Sequence, residues 1–254
     1  MAPGKQYVKA ISEENGGDMI TEGQMRLVRW CFLASLVLFI LSSIIQLLEH
    51  PAVAIHGGTE IRIYLSLYVL ALLIYGWFAL FRTHTGTTDE RVALQQGTCW
   101  GLLCGTIWAI ELLVGNFPLA PSGPFMLILY RGSSLLGFLL PVFPSLLTGW
   151  QTGRISPGIQ AGLLCGMLGG LMIFLTWLLF SVPLFQVGLS DQQTITEFRH
   201  SGLPDIITYI AGDWLAALIG HLWIGLITGL LLGVLGGTIG KSARLSWRSS
   251  ETQN

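Results

Sequence analysis

Apolar positions along this chain fall in long unbroken runs rather than in short periodic patches. Three of them, 30–48, 63–81 and 98–114, are each bounded by charged, polar or turn-forming residues. A bilayer core of about 30 Å needs roughly 20 apolar residues in helical form, so each run predicts a spanning helix. A fourth region, 124–150, is less regular. Arg131 interrupts its start, and Pro141 and Pro144 predict a bend near its middle, which a span tolerates where neighbouring helices satisfy the freed carbonyls. The fifth region is 158–185. The last apolar stretch, 204–240, would reach about 54 Å as one helix, too long for a straight span. It is therefore expected to divide into an outer interfacial or re-entrant segment, 204–217, and a span at 220–240, with one strongly tilted helix as the alternative. The polar, mixed-charge residues 1–24 contain no apolar core and read as a disordered tail rather than a signal. Residues 241–254 form a second tail.

Composition strengthens this pattern. Of 254 residues, 52% are hydrophobic and 11% charged, with mean hydropathy +0.65. Together these predict an all-α membrane protein, a polytopic bundle of six transmembrane helices. The net charge of -1 gives no reason to expect nucleic acid. Cys31, Cys99, Cys104 and Cys165 lie in or beside apolar runs without paired ligand spacing, and read as small hydrophobes.

Basic residues set the orientation, because Lys and Arg collect in short cytoplasmic segments. With six spans and the N-terminus inside, Lys5, Lys9, Arg26, Arg29, Arg82, Arg91, Arg154, Lys241, Arg244 and Arg248 are cytoplasmic, and Arg62, Arg131 and Arg199 are outside. That split of ten against three falls to seven against six if the fourth region does not cross. The expectation is six spans with both termini cytoplasmic, in a bacterial plasma membrane.

Three glycine ladders run at four-residue spacing: Gly97, Gly101 and Gly105; Gly158, Gly162, Gly166 and Gly170; Gly225, Gly229, Gly233 and Gly237. Each lines one helix face. In lipid, where apolar burial drives helix association little, such faces let backbones approach closely, within the bundle or in a homo-oligomer or partner subunit. All three lie toward the cytoplasmic half. Bulkier Trp108, Phe117, Phe174, Trp177 and Phe180 follow on the outer side, so the helices are expected to splay outward. Residues 101–105, Gly-Leu-Leu-Cys-Gly, recur at 162–166, which suggests parallel repeats of two hairpins.

Ionisable residues inside a membrane are costly and are functional candidates by default. Glu111, in the third run five residues before Asn116, and Arg131, at a similar depth in the next, are candidates for an ion pair or for a polar site taking a charged or zwitterionic solute. Asp213 and His221 are the second candidates, separated by about 80° on a continuous helix and able to share a cavity wall. His50, His56 and His200 also fall outside with Glu49 and Glu60, but their spacing matches no metal motif. No cofactor and no metal is expected.

Residues 132–134, Gly-Ser-Ser, together with His221 invite comparison with rhomboid intramembrane serine proteases. That family's nucleophile lies in Gly-x-Ser-Gly, whereas Leu135 follows Ser134 here. Neither His-Glu-x-x-His nor a phosphate-cradling Gly-x-x-x-x-Gly-Lys loop occurs, so no reaction is expected. In layout the chain is similar to the membrane substrate-binding components of energy-coupling-factor transporters, with about six helices, an outward pocket and small-residue faces. The likeness is of architecture, without a shared residue motif. It implies a transport-related protein taking a small solute from the outer side. The alternatives are a structural or assembly subunit of a membrane complex and an intramembrane hydrolase.

Overall fold

Without water to satisfy backbone N–H and C=O groups, apolar runs of this length fold as helices. The computed structural model describes residues 22–49, 51, 58–82, 87–116 and 124–251. Its elements are α1 (Glu22–Glu49), α2 (Gly58–Trp77) extended by a π-helical turn (Phe78–Arg82), α3 (Thr88–Asn116), α4 (Pro124–Leu139), α5 (Val142–Thr152), α6 (Ile155–Leu179), α7 (Ser181–Ser190), α8 (Gln192–Ser201) and α9 (Ile206–Glu251). Among the described residues there is no strand. Five helical segments are long and apolar enough to cross a membrane: Arg62–Phe81, Thr88–Gly115, Arg131–Thr152, Ile155–Leu179 and Ile206–Ser250. In α1 the apolar stretch Arg29–Ile45 is shorter. Leu48, Ile128 and Leu179 are each more than 70% exposed, an outward apolar surface suited to lipid and costly in water.

Local chemistry explains the element boundaries. Thr87 and Glu90 form a capping box at the start of α3: Glu90 N–H donates to Thr87 Oγ1 at 3.3 Å, and Thr87 N–H donates to Glu90 Oε2 at 3.1 Å. The helix interrupted by Pro141 breaks at Leu140–Pro141 and resumes as α5, because proline has no N–H to continue the ladder. After α5 the chain turns through Gly153, whose φ of 71° is costly for residues with a Cβ. The expected spans at 98–114 and 158–185 are modified at their edges, since α3 begins at Thr88 and a break at Phe180 separates α6 from α7.

The expected division of 204–240 is corrected. Ile206–Glu251 is one continuous helix of 46 residues, and no proline interrupts its interior after Pro204. Asp205 supplies its start, accepting from Thr208 N–H at 2.7 Å. The same helix includes residues 241–251, which the sequence assigns to a tail. The tail expected at 1–24 lies outside the described residues except for the first turn of α1.

Central α6 is approached on two faces. Added Cβ atoms at Gly97, Gly101 and Gly105 would meet Ala161 O at 2.8 Å, Cys165 Cα at 3.1 Å and Gly169 Cα at 3.4 Å. This constant forward register makes α3 and α6 parallel. On the other face the order reverses. A Cβ at Gly158 would lie 2.7 Å from Gly237 Cα, one at Gly162 2.6 Å from Gly233 Cα, one at Gly166 3.0 Å from Gly229 Cα, and one at Gly170 3.0 Å from His221 O. So α6 and α9 run antiparallel. At Gly166 and Gly225 an added Cβ would press on the other residue's carbonyl oxygen. A further side of α9 receives α5, where a Cβ at Gly149 would lie 2.6 Å from Gly237 O and one at Gly236 2.5 Å from Val142 O.

The first two helices attach by aromatic contacts instead. Phe32 stacks with Tyr75 at 6.1 Å between centroids, and Phe39 lies between Tyr68 at 5.1 Å and Phe174 of α6 at 4.2 Å. Tyr75 Oη also donates to Leu222 O at 2.9 Å, tying α2 to α9.

Candidate functional site

The ladders stop at Gly105 in α3 and Gly170 in α6, and in α9, which runs the other way, they begin at Gly225. Immediately beyond these positions the helices carry Trp108, Glu111 and Leu112; Ile173 and Trp177; and Ile224 and His221. These residues, with Phe138 of α4, line a cavity of about 210 Å³. Two of the four sequence candidates, Glu111 and His221, therefore share one site although they lie on different helices.

Register between α3 and α4 decides what Glu111 meets. Gly137 of α4 leaves space for the Trp108 indole, whose Nε1 an added Cβ would strike, and Cys104 Sγ donates to Gly137 O at 3.3 Å. That antiparallel alignment brings Ser134 opposite Glu111, and its hydroxyl donates to Glu111 Oε1. Arg131 lies nearly one turn farther along α4, level with Val114, and is exposed. The anticipated Glu111–Arg131 ion pair is replaced by the serine contact. An ion pair instead joins Arg154 and Asp89 at 3.3 Å, between α3 and the α5–α6 turn.

His221 is held by its own helix. Nδ1 lies 2.7 Å from Ala217 O, and because a carbonyl can only accept, Nδ1 carries the proton. Nε2 is the ring nitrogen left for a ligand. Asp213 sits two turns earlier on α9, exposed, and does not line the cavity.

Trp177 is 9% exposed, and its buried indole N–H has no hydrogen-bond partner. Most buried donors in folded proteins are paired, so this one is a marked exception. Its ring packs against Trp214 at 4.8 Å between centroids, and Trp214 also meets Phe185 at 5.5 Å. Ionisability alone does not single out Trp108 and Trp177 as site residues. Position does: Trp108 follows Gly105 by three residues and Trp177 follows Gly170 by seven, spacings that keep each near its ladder's face.

Beyond α7, short polar α8 carries capping chemistry. Asp191 accepts from Thr194 N–H and Oγ1, each at 2.8 Å, and these donors hold its carboxyl below the usual carboxylate range. Glu197 is lowered likewise by hydrogen bonds from Gln193 and Tyr209. His200 is exposed on α8, while His50 and His56 lie outside the described residues. Among the described residues no group of three His, Cys, Asp or Glu side chains is arranged to hold a metal ion.

Comparison of the chain with protein-family models, with curated proteins and with solved structures gives no match.

Proposed function

We propose that this chain is a transport-related membrane protein that receives a small solute from the outer side into the cavity between α3, α4, α6 and α9. In this reading the chain crosses six times, with α1 as the first span and α4–α5 as a bent fourth, and both termini are cytoplasmic. The helix directions support it. Phe32 with Tyr75 and Phe39 with Tyr68 make α1 and α2 antiparallel, and α3 and α6 run parallel with α9 antiparallel to both, as six crossings require. The basic residues divide ten against three in the same sense. Glycine contact closes the cytoplasmic half, leaving the cavity toward the outer face of a plasma membrane.

The observation that carries the reading is the convergence of Glu111, His221 and two tryptophans, Trp108 and Trp177, on one cavity. Apolar pockets with a few convergent polar groups are the usual form of small-molecule sites. Retained solute on the purified full chain, weighed intact by native mass spectrometry and lost in Glu111→Gln, is the expected result. A stoichiometric protein partner without solute would overturn it in favour of an assembly subunit. That second reading has its own observation: added Cβ atoms at Gly76, Gly132 and Gly220 would meet nothing within 4 Å, leaving surfaces that another helix could approach. The hydrolase alternative is weaker, because the Ser134 hydroxyl is engaged by Glu111 rather than by His221.

A further inference from the structure

The geometry points to a small protonated amine as the solute, its ammonium held by Glu111 beside the indole faces of Trp108 and Trp177. This assignment rests on the solute-binding reading above and adds the sign of the ligand's charge.

Charge comes first. Among the described residues that line the cavity, Glu111 is the only carboxylate and none is Lys or Arg. A carboxylate offers about four acceptor sites, of which the Ser134 hydroxyl fills one. Burying a charge is costly unless it is paired, and an ammonium supplies both the opposite charge and the missing donors. Anionic solutes would instead face Glu111 as a like charge. A zwitterion would need a cation for its own carboxylate. Arg131, the candidate for that role, is exposed and nearly a turn beyond Ser134.

The remaining walls agree with this sign. Cations are attracted to the faces of tryptophan rings, and two of the eight lining residues are tryptophans. The imidazole commits Nδ1 to Ala217, so Nε2 can serve as a further acceptor. Leu112, Ile173 and Ile224 offer an apolar wall for the carbon skeleton. At about 210 Å³ the cavity is below the roughly 300–1,000 Å³ typical of drug-sized ligands, so the amine is small.

A matched set of tritiated probes tests the inference on the full chain in lipid nanodiscs: 2-phenoxyethylammonium, neutral 2-phenoxyethanol and anionic phenoxyacetate. All share the same ether oxygen and ring and differ in charge. The expected result is saturable binding of the ammonium at least tenfold tighter than either analogue. Glu111→Gln should weaken it about tenfold or more, Glu111→Asp should retain most of it, and Trp177→Phe should weaken it severalfold. The aspartate variant keeps the test decisive if the glutamine variant does not fold. Equal or tighter binding of the alcohol or acid would overturn the cation assignment while leaving a solute site. Failure of all three probes to bind would also overturn the amine. Solute binding itself would fall separately, if intact mass finds no retained molecule.

Discussion

Two halves of the same helices pack by opposite means. At the end marked by Arg154, Asp89 and Arg244, α6 meets α3 and α9 through glycines, with an added Cβ at Gly158 or Gly162 falling within 3 Å of backbone on α9. A turn or two past the last glycines, Trp108, Ile173 and Trp177 stand between the same helices, and a cavity replaces contact. One half achieves close approach by having no side chains to separate, and the other creates space by having large ones. A closely packed half supporting a lined half would suit the proposed binding site, because site geometry is most reproducible on helices whose own packing is fixed.

The largest expected effect breaks the closed half. In Gly166→Val the added side chain would press on the Gly225 carbonyl, which belongs to backbone and cannot turn aside. Overpacking commonly costs about 1–3 kcal/mol and occasionally more. A backbone obstacle puts this substitution at or above the upper end. The expected outcome is loss of monodisperse protein on size exclusion, or a sharply lowered melting temperature. Gly220→Ala is the control, since an added Cβ there meets nothing within 4 Å, and it should melt close to wild type. Similar melting of both variants would show that the glycine contacts do not hold the helices.

A smaller effect is expected where the halves meet. Tyr75 is 1% exposed, and its hydroxyl donates to Leu222 O beside His221. Tyr75→Phe keeps the stacking on Phe32 and removes only that bond, a loss of about 0.5–1.5 kcal/mol. Thermal unfolding in detergent would register this as a drop of a few degrees. If α2 braces the cavity through α9, solute binding should weaken in the same variant. Unchanged stability and binding would separate α2 from the site.

Much of the bundle was legible because one-dimensional cues governed it. Run length predicts the helices around 30–48, 63–81 and 98–114, and four-residue spacing identifies the faces where Gly101 and Gly162 lie. Pro141 marks the break in the fourth region. Ionisability in apolar surroundings directed attention to both Glu111 and His221. Their shared cavity was not legible, because it depends on where three ladders end relative to one another after the helices pair. Nor was Ser134 as the partner of Glu111, since the seating of Trp108 on Gly137 sets that register. The continuous α9 ran against a length limit that applies to a helix perpendicular to the bilayer, whereas tilt and extension beyond the membrane both relax it.

The smallest expected effect sharpens the contrast by testing the closed half at its rim. Arg154 Nη1 lies 3.3 Å from Asp89 Oδ2, with side chains 70% and 32% exposed. Exposed pairs of this kind contribute about 0–1 kcal/mol and are screened by salt. Arg154→Gln should therefore change the melting temperature by no more than a degree or two, and the difference should vanish at high ionic strength. The nearby turn has other supports: Arg244 donates to Gln151 O at 2.5 Å, and Arg154 N–H donates to Thr152 Oγ1 at 3.2 Å, a bond the glutamine backbone would retain. A large, salt-insensitive loss would mean that charge rather than glycine contact closes this end, reversing the assignment of what holds the two halves apart in character.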